Sequence, residues 1–186
     1  FPTLRPSYLG FWLRCEDSPW PMFRIVVPVE ARERTIEALE SRDGRPMSDE
    51  LVETLRVEAG RPAWGRDLTS ETIPLEAGLL DRAISTSKGC YVGQEIIIRI
   101  LHRGGGRVAK RLMKLAFDPA VTVPPAAGAG VLAGGHPVGH ITSAVFSPAA
   151  NRVIALAYVH RDSAELGTTL TLEGSTTSAV VESSAR

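Results

Sequence analysis

The order of apolar and polar positions gives the chain two textures. Phe23-Arg24-Ile25-Val26-Val27-Pro28 is rich in β-branched residues and closes on proline, which predicts a short strand. Glu30 to Glu40 follows, with Ile36 and Leu39 three apart and charge over the rest, the pattern of a solvent-facing helix. Ser48-Asp49-Glu50 supplies a helix start, and Leu51, Val52, Leu55 and Val57 form a partial apolar stripe that ends at Gly60. Residues 61–87 have no period and are punctuated by Pro62, Gly65, Pro74 and Gly78. Irregular stretches of that length are uncommon unless functional, so this one is a candidate site wall. Gly93 to Arg103 is ambiguous. Ile96, Ile97 and Ile98 favour a strand, whereas apolar residues at 96, 97, 100 and 101 fit one helical face. Glu95 lies early and Arg99, His102 and Arg103 late, which tips the reading to a helix with Gly104 as its left-handed cap.

After Arg107 the period becomes two. Arg111 to Phe117 alternates, and Val131-Leu132, Val138 to Ile141, Ile154 to Val159, Thr169 to Leu172 and Ala179 to Val181 follow between Gly, Pro and Ser. Short strands so spaced predict a small antiparallel barrel or sandwich. The fold class is therefore α+β, a mixed α/β part followed by a small β-domain, with a boundary near residue 110.

Composition changes this picture little. A chain of 186 residues, 44% hydrophobic and 23% charged, can bury a sizeable core. Twenty-one basic and twenty-one acidic residues cancel, so bulk charge argues for neither nucleic acid nor membrane as a direct partner. The balance is uneven: no acid lies between Glu95 and Asp118, where Arg99, Arg103, Arg107, Lys110, Arg111 and Lys114 crowd together. Two cysteines, Cys15 and Cys90, cannot form a disulfide framework, no apolar run approaches the ~20 residues of a membrane span, and no signal-peptide pattern occurs. The expectation is a cytoplasmic protein. The chain opens on Phe1, which raises the expectation of a portion of something longer.

The stretch Lys88-Gly89-Cys90-Tyr91-Val92-Gly93-Gln94-Glu95 concentrates chemistry. A helix starting at Gly93 and the ammonium of Lys88 would both favour the Cys90 thiolate, the form that attacks electrophiles or binds soft metals. The alternative is a buried cysteine acting as a small hydrophobe. One thiolate cannot enclose a zinc ion or an iron–sulfur cluster. Arg103 and Arg107 flank three glycines and could present guanidinium and backbone N–H groups to an anion, or the run could be a plain link. Glu58 and Glu76 could each accept two parallel N–H bonds from an amide-plus-amino edge such as a pterin or guanine. His136 and His140 would share one strand face, but no third metal ligand is nearby.

These residues resemble a known family. Lys88 to Glu95 closely resembles the KGCYxGQE motif of the YgfZ family, folate-binding relatives of the glycine-cleavage T-protein, an aminomethyltransferase. Leu55 to Pro62, Gly65 to Leu68 and Ile73 to Glu76 resemble the stretch shared by both branches, and Gly139 to Ser143, Ser147-Pro148 and Ile154 to Val159 resemble the C-terminal barrel. The resemblance implies a fragment of the T-protein fold, with residues 1–110 the later part of a folate-binding α+β domain and 111–186 an antiparallel β-barrel. It implies tetrahydrofolate as ligand, with Glu76, Arg107, Tyr91, Gln94 and Arg103 as contacts, and Cys90 with Lys88 as the reactive pair. It further implies support of iron–sulfur cluster assembly or repair in client proteins, tRNA-modifying enzymes among them, with a cluster bound at most transiently. Two alternatives stand beside it, a folate-dependent aminomethyl transferase and a non-catalytic module that docks protein or RNA.

Overall fold

The computed structural model describes residues 10–15, 21–103 and 105–185. Two compact units divide at Asp49 and Glu50. In the first, β1 (Phe11–Cys15) pairs antiparallel with β2 (Met22–Val26), setting Trp12 opposite Ile25 and Arg14 opposite Phe23. The rings of Trp12 and Phe23 lie 5.6 Å apart. β2 matches the predicted strand; β1, in Phe11-Trp12-Leu13, was not singled out by pattern. A 3-10 turn leads into α1 (Arg32–Glu40), which buries no residue, as its charge-covered sequence requires.

α2 (Asp49–Glu58) leads into the second unit, and α3 (Leu80–Ala83) is a single turn inside the stretch expected to be irregular. The helix predicted over 93–103 is split. α4 (Gln94–Ile98) passes at Arg99–Arg103 into a wider π-helical turn. The three isoleucines explain the short α-segment, because β-branched side chains crowd the preceding helical turn. The predicted cap at Gly104 lies outside the described residues.

The rest is a closed antiparallel barrel of β3 (Lys110–Phe117), β4 (Gly130–Ala133), β5 (His136–Ser147), β6 (Arg152–His160), β7 (Thr169–Leu172) and β8 (Ser178–Ser184). The strand order is β3-β6-β5-β4-β7-β8, and every strand predicted after Arg107 falls within an observed one, whereas the strand predicted over residues 23–28 ends at Val26. Alternation sorts the side chains. Met113, Leu115, Phe117, Val153, Ala155, Ala157 and Val159 fill the interior with Val131, Ile141, Leu170 and Val181. Leu112, Ile154, Leu156 and Tyr158 point outward and pack with Val57 of α2 and Ala185. β6 is therefore buried on both faces, which is why it reads as a continuous apolar run.

Two irregularities in β5 shape its outer face. A β-bulge between Ile141 and Ser143 opposes Ala157 and Leu156 on β6 and leaves Thr142 as the extra residue. Gly139, opposite Val159, lies so close to β6 that a Cβ would stand 1.8 Å from the Tyr158 carbonyl oxygen, so no side chain fits there. Among the described residues no helix is long and apolar enough to cross a membrane.

Candidate functional site

The irregular segment between α2 and α3 carries Glu76 to the outer face of the barrel. A turn closed by Glu76 N–H on the Ile73 carbonyl (2.9 Å) precedes it, and the Leu112 N–H donates to the Glu76 carbonyl at 2.8 Å, fastening that turn to β3. The Glu76 side chain is 7% exposed, with Lys110 Nζ 3.9 Å from its Oε2. The same ammonium stands 4.8 Å from the Tyr158 ring centre, a cation–π distance. Burial, with the charges of Glu76 and Asp67 acting in the same sense, pushes the Tyr158 phenol up to about 12, although a hydrogen bond with Thr72 works the other way. His140 lies 6.0 Å from Tyr158, ring to ring, and burial followed by the Lys110 charge holds its imidazole below the usual range. The cluster is thus a buried carboxylate beside a cation, a neutral phenol and a neutral imidazole. In such a setting the carboxylate is a strong acceptor for paired N–H donors.

A second buried carboxylate anchors the segment. Asp67 is fully buried at its side chain. Its Oδ2 accepts from Arg56 Nη1 (2.7 Å) and the Ala63 N–H (2.9 Å), and its Oδ1 from Ser143 Oγ (2.8 Å) and Thr142 Oγ1. The Tyr158 hydroxyl donates to the Asp67 carbonyl at 3.1 Å. Arg56 also donates to Ser143 Oγ, to the Arg61 carbonyl and to both oxygens of Glu53, which Arg66 joins at 2.7 Å. Burial alone would lower the Arg56 pKa, but the Glu53 hydrogen bond and the charges of Asp67 and Glu53 outweigh it and raise it. The Arg56 hydrogen bond holds Glu53 below the ordinary carboxylate range against burial, helped by the charges of Arg56 and Arg66.

The loop of residues 88–95 is an open element. Gly93 holds a left-handed conformation (φ 85°) at the start of α4, as a tight entry there demands. The Gln94 side chain accepts from the Tyr91 N–H at 3.2 Å, and the Gln94 N–H donates to the Tyr91 carbonyl at the same distance. Lys88 Nζ lies over the Tyr91 ring, 4.5 Å from its centre. Cys90 is exposed and lines a cleft of about 540 Å³ with Tyr91, Gln94, Glu95, Ile98, Arg99 and Arg103. Arg107 lies elsewhere. It lines a groove of about 800 Å³ at the barrel mouth with Arg111, Arg161, Glu165 and Ser183.

The barrel has a known counterpart. Residues 110–184 match the glycine cleavage T-protein C-terminal barrel domain. The chain is T-protein-like. It is 32% identical over 151 residues to an aminomethyltransferase of Synechocystis sp., a match covering 81% of this chain and 39% of that protein. An aminomethyltransferase of Streptomyces coelicolor is 36% identical over 117 residues, 62% of this chain and 31% of that one. A crystal structure of the glycine cleavage system aminomethyltransferase T from Bartonella henselae superposes with a TM-score of 0.82 at 23% identity, over 96% of this chain and 50% of that one, a likeness of fold. The chain spans half or less of the length of each of these proteins.

Within this T-protein-like chain the residues singled out in sequence fall into separate places. Cys90, Tyr91, Gln94 and Arg103 share one cleft, Lys88 stacks on Tyr91, Arg107 joins the barrel mouth, and Glu76 sits with Lys110 and Tyr158. Glu58, the other carboxylate considered for a ring edge, accepts from Ser147 Oγ at 2.6 Å and ties α2 to β5. Among the described residues no three His, Cys, Asp or Glu side chains gather as a metal site, so His136 and His140 find no third ligand. Sequence reasoning passed over Lys110, Tyr158, Asp67 and Arg56 as site residues. A tyrosine in an apolar strand and an Arg and Asp flanking the irregular stretch were the available signals.

Proposed function

We propose that this chain is the folate-engaging portion of a T-protein-like protein of the YgfZ branch, acting in assembly or repair of iron–sulfur proteins. The observation that carries the folate reading is the Glu76 carboxylate, nearly buried beside Lys110 and Tyr158, where paired N–H donors of a pterin edge would find a rigid acceptor in a low dielectric. Within the second unit, the segment that carries Glu76 would supply the folate wall and the barrel of β3 to β8 would back it. Titration calorimetry with tetrahydrofolate tests the reading. Glu76→Gln should weaken binding at least about tenfold, since a hydrogen bond to a charged group contributes roughly 1.5–3 kcal/mol. No binding by the parent chain, or equal binding by the variant, rejects it.

The iron–sulfur part rests on the loop of residues 88–95, whose exposed Cys90 is open to a partner's surface. In cells lacking the protein, Cys90→Ala should fail to restore iron–sulfur enzyme activity while unfolding at the parent's temperature. Full restoration removes the thiol from the mechanism. The name aminomethyltransferase carried by the relatives supports a second reading, a folate-dependent transfer of the one-carbon unit of an aminomethyl donor with its amine released as ammonia. Turnover of an aminomethyl donor with tetrahydrofolate, undiminished in Cys90→Ala, would establish it instead.

A further inference from the structure

We propose that Asp67 is the positioning residue of the Glu76 carboxylate, an inference that rests on the folate reading of Glu76. Between the end of α2 and the start of α3 the backbone has no strand or long helix to hold it, yet it must deliver one carboxylate to a fixed place. Asp67 supplies the fixed point. Its two oxygens collect four donors from three elements: Arg56 of α2, the Ala63 N–H of the segment itself, and the hydroxyls of Thr142 and Ser143 on β5. The bulge in β5 makes the last two possible, because consecutive residues of a regular strand face opposite sides of the sheet.

From this anchor two paths run to Glu76. One is covalent and short: the Thr69 N–H bonds Thr72 Oγ1 at 2.9 Å, and the next turn bonds Glu76 to Ile73. The other runs through side chains. The Asp67 carbonyl receives the Tyr158 hydroxyl, the Tyr158 face receives Lys110, and Lys110 faces the Glu76 carboxylate. An apolar plug could fill the Asp67 site with equal or greater stability, since buried ion pairs contribute little net energy over well-packed hydrophobic groups. A four-donor cage does what such a plug cannot, which is to fix one register of the segment on the barrel. Displacements near 1 Å are enough to cost about a hundredfold at a reacting centre.

The experiment compares two ligands in Asp67→Asn: tetrahydrofolate and its 2-desamino analogue, which lacks half of the edge that Glu76 reads. The parent chain should prefer tetrahydrofolate by at least about tenfold, and Glu76→Gln should lose that preference. Asp67→Asn should lose it too, while retaining the far-UV spectrum and a cooperative unfolding transition. Equal weakening of both ligands with the preference intact would show a merely structural role and overturn the proposal. If Asp67→Asn does not fold, Thr142→Val, which removes one donor at the same volume, should lower the preference partway; an unchanged preference overturns the proposal. Failure of the folate reading itself is separately visible, as absence of binding or preference in the parent. In that event the carboxyl carbon resonance of Glu76, measured without ligand, decides: movement in Asp67→Asn upholds the positioning role and an unmoved resonance ends it.

Discussion

Removing the Arg56 guanidinium should be the most damaging truncation of a charged side chain in the second unit. Arg56→Ala strips the Asp67 Oδ2 of its cation, Ser143 Oγ of its Arg56 donor and Glu53 of both Arg56 bonds, leaving Glu53 only Arg66, while Asp67 stays fully buried. Breaking a buried pair by deleting one partner costs about 3–5 kcal/mol. Two features reduce that here. The Arg56 side chain is 14% exposed, so its own desolvation is incomplete, and Asp67 keeps the Ala63, Ser143 and Thr142 donors. The expected loss is about 2–3 kcal/mol, or roughly 5–10 °C in Tm for a chain of this size. Arg66→Ala is the control. Its pair with Glu53 is 60% exposed on the arginine side, and surface pairs contribute about 0–1 kcal/mol. Urea unfolding followed by circular dichroism and fluorescence measures both, with a lower midpoint at constant m-value. The acid limb adds a second reading. Glu53 titrates below 4.5 in the folded chain, so its stabilisation is present above the unfolded value and is lost as pH falls through the folded one. Arg56→Ala removes the main cause of that shift and should flatten the limb. Equal midpoints for Arg56→Ala and Arg66→Ala, or an unchanged acid limb, would refute the reasoning.

Two further outcomes follow from the same face. Gly139→Ala places a Cβ against the Tyr158 carbonyl and should cost at least about 3 kcal/mol, the upper end of ordinary overpacking, seen as a lowered urea midpoint; a loss under about 1 kcal/mol would mean that β5 can shift away freely. Tyr158 ionises near 12 in the folded chain against about 10 unfolded, so its contribution is complete below pH 10 and lost as pH rises towards 12. Tyr158→Phe should abolish that alkaline limb, and an identical limb in the variant would assign it to another group.

Most of the barrel was legible because its strands announce themselves twice, by alternation and by the Gly and Pro between them. β6 was legible even though both its faces are buried, since a continuous run of Ile, Ala, Leu and Val between turn signals is also a strand pattern. The π-helical turn after Ile98 was not legible, because periodicity over 93–103 cannot separate helical pitches. Glu76 was visible by its place after Pro74-Leu75, and Cys90 by its company in the loop. The partners of Glu76 were hidden for a physical reason. Lys110 reads as one more charge in a basic run, and its meaning depends on β3 turning it outward toward a residue 34 positions earlier in the chain. Asp67 was hidden by the β5 bulge, which no alternation rule places.

That outward turn also separates the two anion-related features of the chain. On β3, Lys110 and Leu112 face the segment that carries Glu76, whereas Met113 fills the barrel interior and Arg111 lines the mouth with Arg107 and Arg161. Adjacent residues of one strand thus serve opposite sides of the sheet. Glu76 and Arg107, which the family resemblance assigns to one ligand, are reached from different faces of the β3 start. On the proposed folate reading, one molecule contacting both would cross the start of β3. Its pterin end would be read by a rigid, buried carboxylate held from Asp67. Its far end would meet an exposed guanidinium on a glycine-flanked stretch, where selectivity is low and salt screens the contact within ~10 Å. On the same proposed reading, the chemistry that discriminates between ligands would therefore be concentrated at Glu76, and the basic run would contribute attraction without choice.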